Sequence, residues 1–149
     1  MSELDSGLIV PLSIHDAMVA HCLKDSPLEA CGILGGRFPL VSSFHPLRNA
    51  AASETYYDAD HQELIAAVVT IREAGGEFLA IYHSHPKWQA VPSKTDLRDN
   101  HYGPLPRIIV SLLEPSPDVR IWRLDEDSFT ELSWRVVPDD ELERLKGDA

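Results

Sequence analysis

The chain is short of basic residues, of cysteine and of long apolar runs, and each shortage excludes something. Thirteen Lys and Arg stand against 24 Asp and Glu, a formal net charge of −11. No cluster of Lys and Arg interrupts that balance, which argues against a nucleic-acid partner, because phosphate binding rests on such clusters. An acidic surface favours a neutral or basic protein partner instead. Two cysteines, Cys22 and Cys31, are too few for a disulfide framework and fit a reduced compartment. No apolar run approaches the roughly 20 residues that cross a bilayer. The opening MSELDSG is acidic and has no basic-then-apolar targeting segment. The expectation is a cytoplasmic protein with no membrane partner. Internal repeats and low-complexity segments are also missing. So is the His-x-Glu with Pro-Cys-x-x-Cys arrangement of nucleobase and nucleoside deaminases.

What is there is the composition of an ordinary soluble domain, 44% hydrophobic and 25% charged over 149 residues, read as one unit spanning 1–149. Leu8–Val10 is a short strand or an extended lead-in. Ser13 suits the N-cap of a helix running to about Lys24, ended by Asp25-Ser26-Pro27. Glu29–Leu34 reads as a strand with Gly35-Gly36 as its turn, and Phe38–Leu47 as an interrupted second strand. Arg48–Asp60 is a loop, and Asp60 can cap a helix over 61–74 whose apolar face includes Leu64, Ile65, Val68, Val69 and Ile71. Apolar or alternating strands follow at Arg107–Leu113, Val119–Leu124 and Phe129–Val137. A short solvated helix starts after Pro138.

The chemistry concentrates between Phe78 and Asp96, FLAIYHSHPKWQAVPSKTD. It opens as a strand between Gly75-Gly76 and Pro86, a residue that cannot continue a central ladder. Alternation puts Leu79, Ile81, His83 and His85 on one face, with Ser84 opposite in a structural role. Ser93 followed by Asp96 resembles a capping box that opens a helix, which turns Asp96 back toward the loop. Two imidazoles and a carboxylate suit a divalent ion, zinc best, with a fourth position left open. Ser93 reads as the N-cap of that helix. Lys87 and Trp88 sit on the intervening loop, and Trp88 is a candidate substrate contact. His15 and His21 read as ordinary helix residues. Cys31 reads as a small packed residue sharing a face with Glu29.

His83-Ser84-His85-Pro86, then six residues, then Ser93 and Asp96, resembles the signature of the JAMM (MPN-plus, Mov34) metallopeptidases. Pro27–Gly36, PLEACGILGG, resembles the stretch that carries that family's glutamate, particularly in short bacterial members. The resemblance implies a three-layer α/β domain, a mixed β-sheet flanked by helices, with cytidine-deaminase-like architecture. It implies one zinc ion held by His83, His85 and Asp96, with Glu29 as general base and acid and Ser93 as oxyanion donor. It also implies hydrolysis of the amide or isopeptide bond after the C-terminal tail of a ubiquitin-like or sulfur carrier protein, in some short bacterial forms with release of cysteine. Asn49, Tyr56 and Tyr57 then either line the substrate groove or pack within their loop. The chain has little room for the insertions of the eukaryotic deubiquitinating relatives. The competing reading is a non-catalytic MPN scaffold that docks partner proteins, a class that typically lacks part of this residue set.

Overall fold

The structure, a computed structural model, describes residues 4–147. Its strands are β1 (Leu4–Pro11), β2 (Cys31–Arg37), β3 (Leu40–Leu47), β4 (Glu77–His85), β5 (Arg107–Ser111), β6 (Asp118–Leu124) and β7 (Phe129–Val137). Its helices are α1 (Leu12–Asp25), α2 (His61–Glu73), α3 (Lys94–Arg98) and α4 (Asp139–Gly147). The strands join in the order β1-β3-β2-β4-β5-β6-β7, and the sheet closes on itself through β1. β4 and β5 are parallel, β1 is parallel to both β7 and β3, and the remaining pairs are antiparallel. The mixed α/β content follows the sequence expectation. The closure does not, because β1 is more than a lead-in: it joins two distant edges. Among the described residues no helix is long and apolar enough to cross a membrane.

Two apolar clusters sandwich the centre of the sheet. One gathers residues from all seven strands, Tyr82, Ile108 and Val110 among them, around Met18 and Cys22 of α1. The other packs Cys31, Ile33 and Ile81 under Ala67 and Ile71 of α2. A third, smaller cluster sets Ala90 of the loop after β4 against Ile109, Trp122 and Leu124, with Leu97 of α3 beside it.

Several local expectations need correction. Gly35 and Gly36 are not a turn but belong to β2, and the chain reverses at Phe38-Pro39. Glycine is needed at 35 because a Cβ there would collide with Ile71 as α2 crosses the strand. β4 pairs Ala80 with Leu34 and Phe78 with Gly35, which leaves Leu79 as an extra, bulged residue. A bulge resets the alternation, so Leu79 packs in the α1 cluster and does not share a face with Ile81. α1 begins at Leu12, not behind a Ser13 cap. Instead Asp139, at the start of α4, accepts hydrogen bonds from the Ser13 N–H and hydroxyl. β5 stops at Ser111, short of Leu113. On α2, Ile65 and Val69 point outward rather than into the core. α4 is docked through buried Leu142 rather than solvated all round; the last two residues of that tail segment lie outside the described residues.

Candidate metal centre

The site forms where β4 runs out, on the face it turns toward α2. Ile81, His83 and His85 alternate onto that face, and both imidazoles are buried. Pro86 ends the strand, and the loop that follows is tied down at three points. His85 Nδ1 lies 2.7 Å from the Gln89 carbonyl, Trp122 Nε1 donates to the Ala90 carbonyl at 2.9 Å, and the Ser111 hydroxyl donates to the Trp88 carbonyl. Thus anchored, the loop delivers Ser93 as the N-cap of α3. The capping box is complete: Ser93 Oγ accepts the Asp96 N–H at 3.0 Å, and Asp96 Oδ2 accepts the Ser93 N–H at 2.9 Å. Asp96 is thereby held in the first helical turn with its carboxylate against the two histidines.

Four ligand-capable atoms converge there. His83 Nε2 is 3.2 Å from His85 Nε2 and 3.2 Å from Asp96 Oδ1, and His85 Nε2 is 3.1 Å from Asp96 Oδ2. His85 Nδ1 points at the Gln89 carbonyl, a contact that only a protonated Nδ1 makes, so in the neutral ring it is Nε2 that offers a lone pair to the cluster. Ligands bound at about 2.0–2.1 Å in tetrahedral array stand about 3.3 Å apart, close to these spacings. A small divalent cation would fit among these atoms. His83, His85 and Asp96 are also the group of described residues whose ligand atoms lie within 4.8 Å of one another.

The surroundings set the charge states. Burial pushes the His83 imidazole down, against the pull of Asp96, and so keeps it neutral and fit to bind a metal. Burial by itself raises the Asp96 carboxyl, but His83, the hydrogen bonds at both histidines and the Ser93 N–H outweigh it and hold Asp96 well below the usual carboxylate range. Glu29 precedes β2 by two residues, and Cys31 of that strand pairs with His83. Its carboxyl is buried with Oε1 unpartnered, and burial, aided by the nearby Asp96, pushes it up to about 9. Cys31 is fully buried with its thiol raised to about 12 by burial, the state of a packed side chain rather than a nucleophile.

The structure thus brings His83, His85, Asp96, Ser93 and Glu29 into one neighbourhood. Trp88 stands at its rim, 45% exposed with its ring 5.4 Å from that of His85. Lys87 reaches across to Glu54 at 2.9 Å. Beside Asp96 opens a cleft of about 750 Å³ lined by Tyr56, Tyr57, Asp58, Leu64, Ile65, Asp99 and Tyr102. Of the loop residues left open between groove and packing, Tyr56 is exposed on the cleft and Tyr57 stacks on His83 at 4.5 Å, while Asn49 is buried within the loop. Sequence reasoning did not find the Tyr57 stack or the Ser84 bond to Ala30, whose N–H meets the Ser84 hydroxyl at 2.8 Å. Both are contacts between residues far apart in the chain, and no local pattern announces them.

Comparison with known proteins bears on this geometry. A family model described as prokaryotic homologs of the JAB domain matches residues 11–125. The chain is 34% identical over 140 residues to the CysO-cysteine peptidase of Mycobacterium tuberculosis, covering 87% of this chain and 91% of that protein. It is 30% identical over 138 residues to the desampylase of Haloferax volcanii, covering 88% and 97%. A solution structure of a Desulfitobacterium hafniense protein superimposes with a TM-score of 0.82 at 31% identity, covering 88% of this chain and 93% of that one. With most of its length matched by that model and by these relatives, the chain belongs to the prokaryotic homologs of the JAB domain.

Proposed function

We propose that this protein is a zinc-dependent JAMM-type peptidase that hydrolyses the amide bond after the C-terminal tail of a ubiquitin-like or sulfur carrier protein. The observation that carries the reading is the convergence of His83 Nε2, His85 Nε2 and both Asp96 oxygens at 3.1–3.2 Å, with the buried carboxyl of Glu29, its Oε1 unpartnered, near enough to feel the charge of Asp96. Buried polar atoms without partners are rare and call for a reason. A bound ion with a proton acceptor next to it is such a reason. The names of the relatives, a peptidase of CysO-cysteine and a desampylase, support the substrate class.

His83, His85 and Asp96 would hold one zinc ion per chain. The ion's contribution is a lower pKa for water, from about 15.7 toward about 7. Glu29 accepts the proton of the attacking water at its free oxygen and passes it to the leaving amine. Its carboxyl, pushed up by burial and by Asp96, would regain its charge beside a divalent cation. Ser93 donates a hydrogen bond from its hydroxyl to the carbonyl oxygen as that oxygen becomes anionic. The cap and this role coexist, because the cap uses an Oγ lone pair as acceptor and leaves the O–H free. The extended tail of the carrier lies along the cleft beside Asp96, and Trp88 borders the leaving group. The same reading takes 1–149 as a single domain of cytidine-deaminase-like, three-layer descent whose sheet has closed. It places the protein in the cytoplasm, in keeping with two unpaired cysteines.

The test is incubation with ubiquitin-like and sulfur carrier fusions ending in diglycine, read by mass. Cleavage after the diglycine is expected, with loss on chelation. Glu29→Gln keeps the metal and loses about 10² to 10⁴ in rate. Cleavage by metal-free protein, or by Glu29→Gln at the normal rate, contradicts the proposal. A metal-loaded protein that binds the carriers without cutting any of them favours the scaffold reading.

A further inference from the structure

Glu29 lies outside every strand, so something other than a ladder must hold it. Its N–H donates to the Ser53 carbonyl at 2.8 Å, and its carbonyl accepts from Asn49 Nδ2 at 3.0 Å. Both partners belong to the loop between β3 and α2. On the far side, Ala30 is fixed to β4 by the Ser84 hydroxyl and by the Ser84 N–H. Asn49 is itself buried and fully used. Nδ2 also donates to the Tyr56 carbonyl at 3.1 Å, and Oδ1 accepts the N–H groups of Ala51 at 3.0 Å and Asp58 at 2.9 Å. Two donors meet two carbonyls and one oxygen meets two N–H groups, so the amide has one orientation and no spare capacity. The backbone on either side of Tyr57, the residue stacked on His83, is thus held by the same side chain that holds Glu29. Tyr56 and Asp58 in turn form part of the cleft wall.

We propose that Asn49 is a positioning residue for the reaction: it sets the Glu29 carboxylate against the metal centre and ties that placement to the cleft wall at Tyr56–Asp58. The proposal rests on Glu29 being the proton carrier. An aspartate at 49 keeps the size and the accepting oxygen but turns a carboxylate toward the carbonyls of Glu29 and Tyr56. Displacing a reacting group by about 1 Å costs about 10²-fold in rate, and that is the scale expected here.

Asn49→Asp and Asn49→Ser are assayed on a diglycine-ended ubiquitin-like carrier linked through its terminal carbonyl to a fluorogenic aminocoumarin. In whichever variant folds, metal content and KM stay within about twofold of the parent while kcat falls about tenfold to hundredfold. Introduced into Glu29→Gln, the same substitution removes little further rate, because it acts through the group already lost. A normal kcat in both metal-loaded variants, activity lost only in step with metal, or full additivity with Glu29→Gln overturns the proposal. Full activity of Glu29→Gln alone refutes instead the assignment of Glu29 on which the proposal stands.

Discussion

Tyr82 and Ser84 on one face of β4, and His83 and His85 on the other, are neighbours in sequence and equally buried, yet they live under different rules. On the α1 side each polar group is satisfied. The Tyr82 hydroxyl lies 2.6 Å from His21 Nδ1, and the Ser84 hydroxyl takes the Ala30 N–H. Gly32 leaves room for the Tyr82 ring to pass over β2. On the α2 side, ring nitrogens and carboxylate oxygens crowd within 3.1–3.2 Å of one another, and His83 Nδ1 and Glu29 Oε1 have no partner at all. Satisfied buried groups specify a fold, whereas unsatisfied ones cost stability and persist where they do something else. One strand therefore carries scaffold and site on alternate residues.

The comparison breaks most plainly by exchanging the two kinds of loss. On the proposed function, His83→Ala is expected to abolish both metal retention and cleavage. Ser84→Ala leaves the Ala30 N–H buried without its partner, costing about 1–3 kcal/mol in denaturant unfolding with metal content unchanged. Next in size is Ser93→Ala. Loss of an oxyanion donor lowers kcat by about 10² to 10³, while loss of the cap lowers stability by only about 1 kcal/mol. A rate loss no larger than the loss of folded protein would assign Ser93 to the cap alone.

The pH dependence of the metal-free protein sharpens the contrast further. Burial, with Asp96 beside it, raises Glu29 from 4.5 to about 9. Between those values the native state keeps a proton that the unfolded chain has released, so stability falls as pH rises across the window. Unfolding of chelated protein at about pH 5.5 and about pH 8 reads the slope, and Glu29→Gln removes this contribution to it. Smallest is Tyr82→Phe on the scaffold face. It gives up one hydrogen bond, about 1 kcal/mol, and leaves cleavage and metal content as they were.

Much of the site was legible because its signals are local. Period-two alternation places His83 and His85 on one face, because the bulge in β4 falls earlier, at Leu79, and a capping box needs only the four residues from Ser93 to Asp96. Glu29 was legible through resemblance alone, since a single glutamate before a strand carries no pattern. What the sequence hid depends on distant partners. Asp139 caps α1 from 126 residues further along the chain, β1 closes the sheet against β7, and Asn49 holds Glu29 from 20 residues away. Likewise Ile65 and Val69 fit the helical apolar stripe, and only the placement of α2 on the sheet decides that they face outward.

The most direct measurement is metal content by elemental analysis, paired with cleavage of a diglycine-ended carrier fusion before chelation, after it, and after zinc is restored. The account predicts one zinc per chain, cleavage that vanishes and returns with it, and neither metal nor cleavage in His83→Ala. Undiminished cleavage by the chelated, metal-free protein would contradict it.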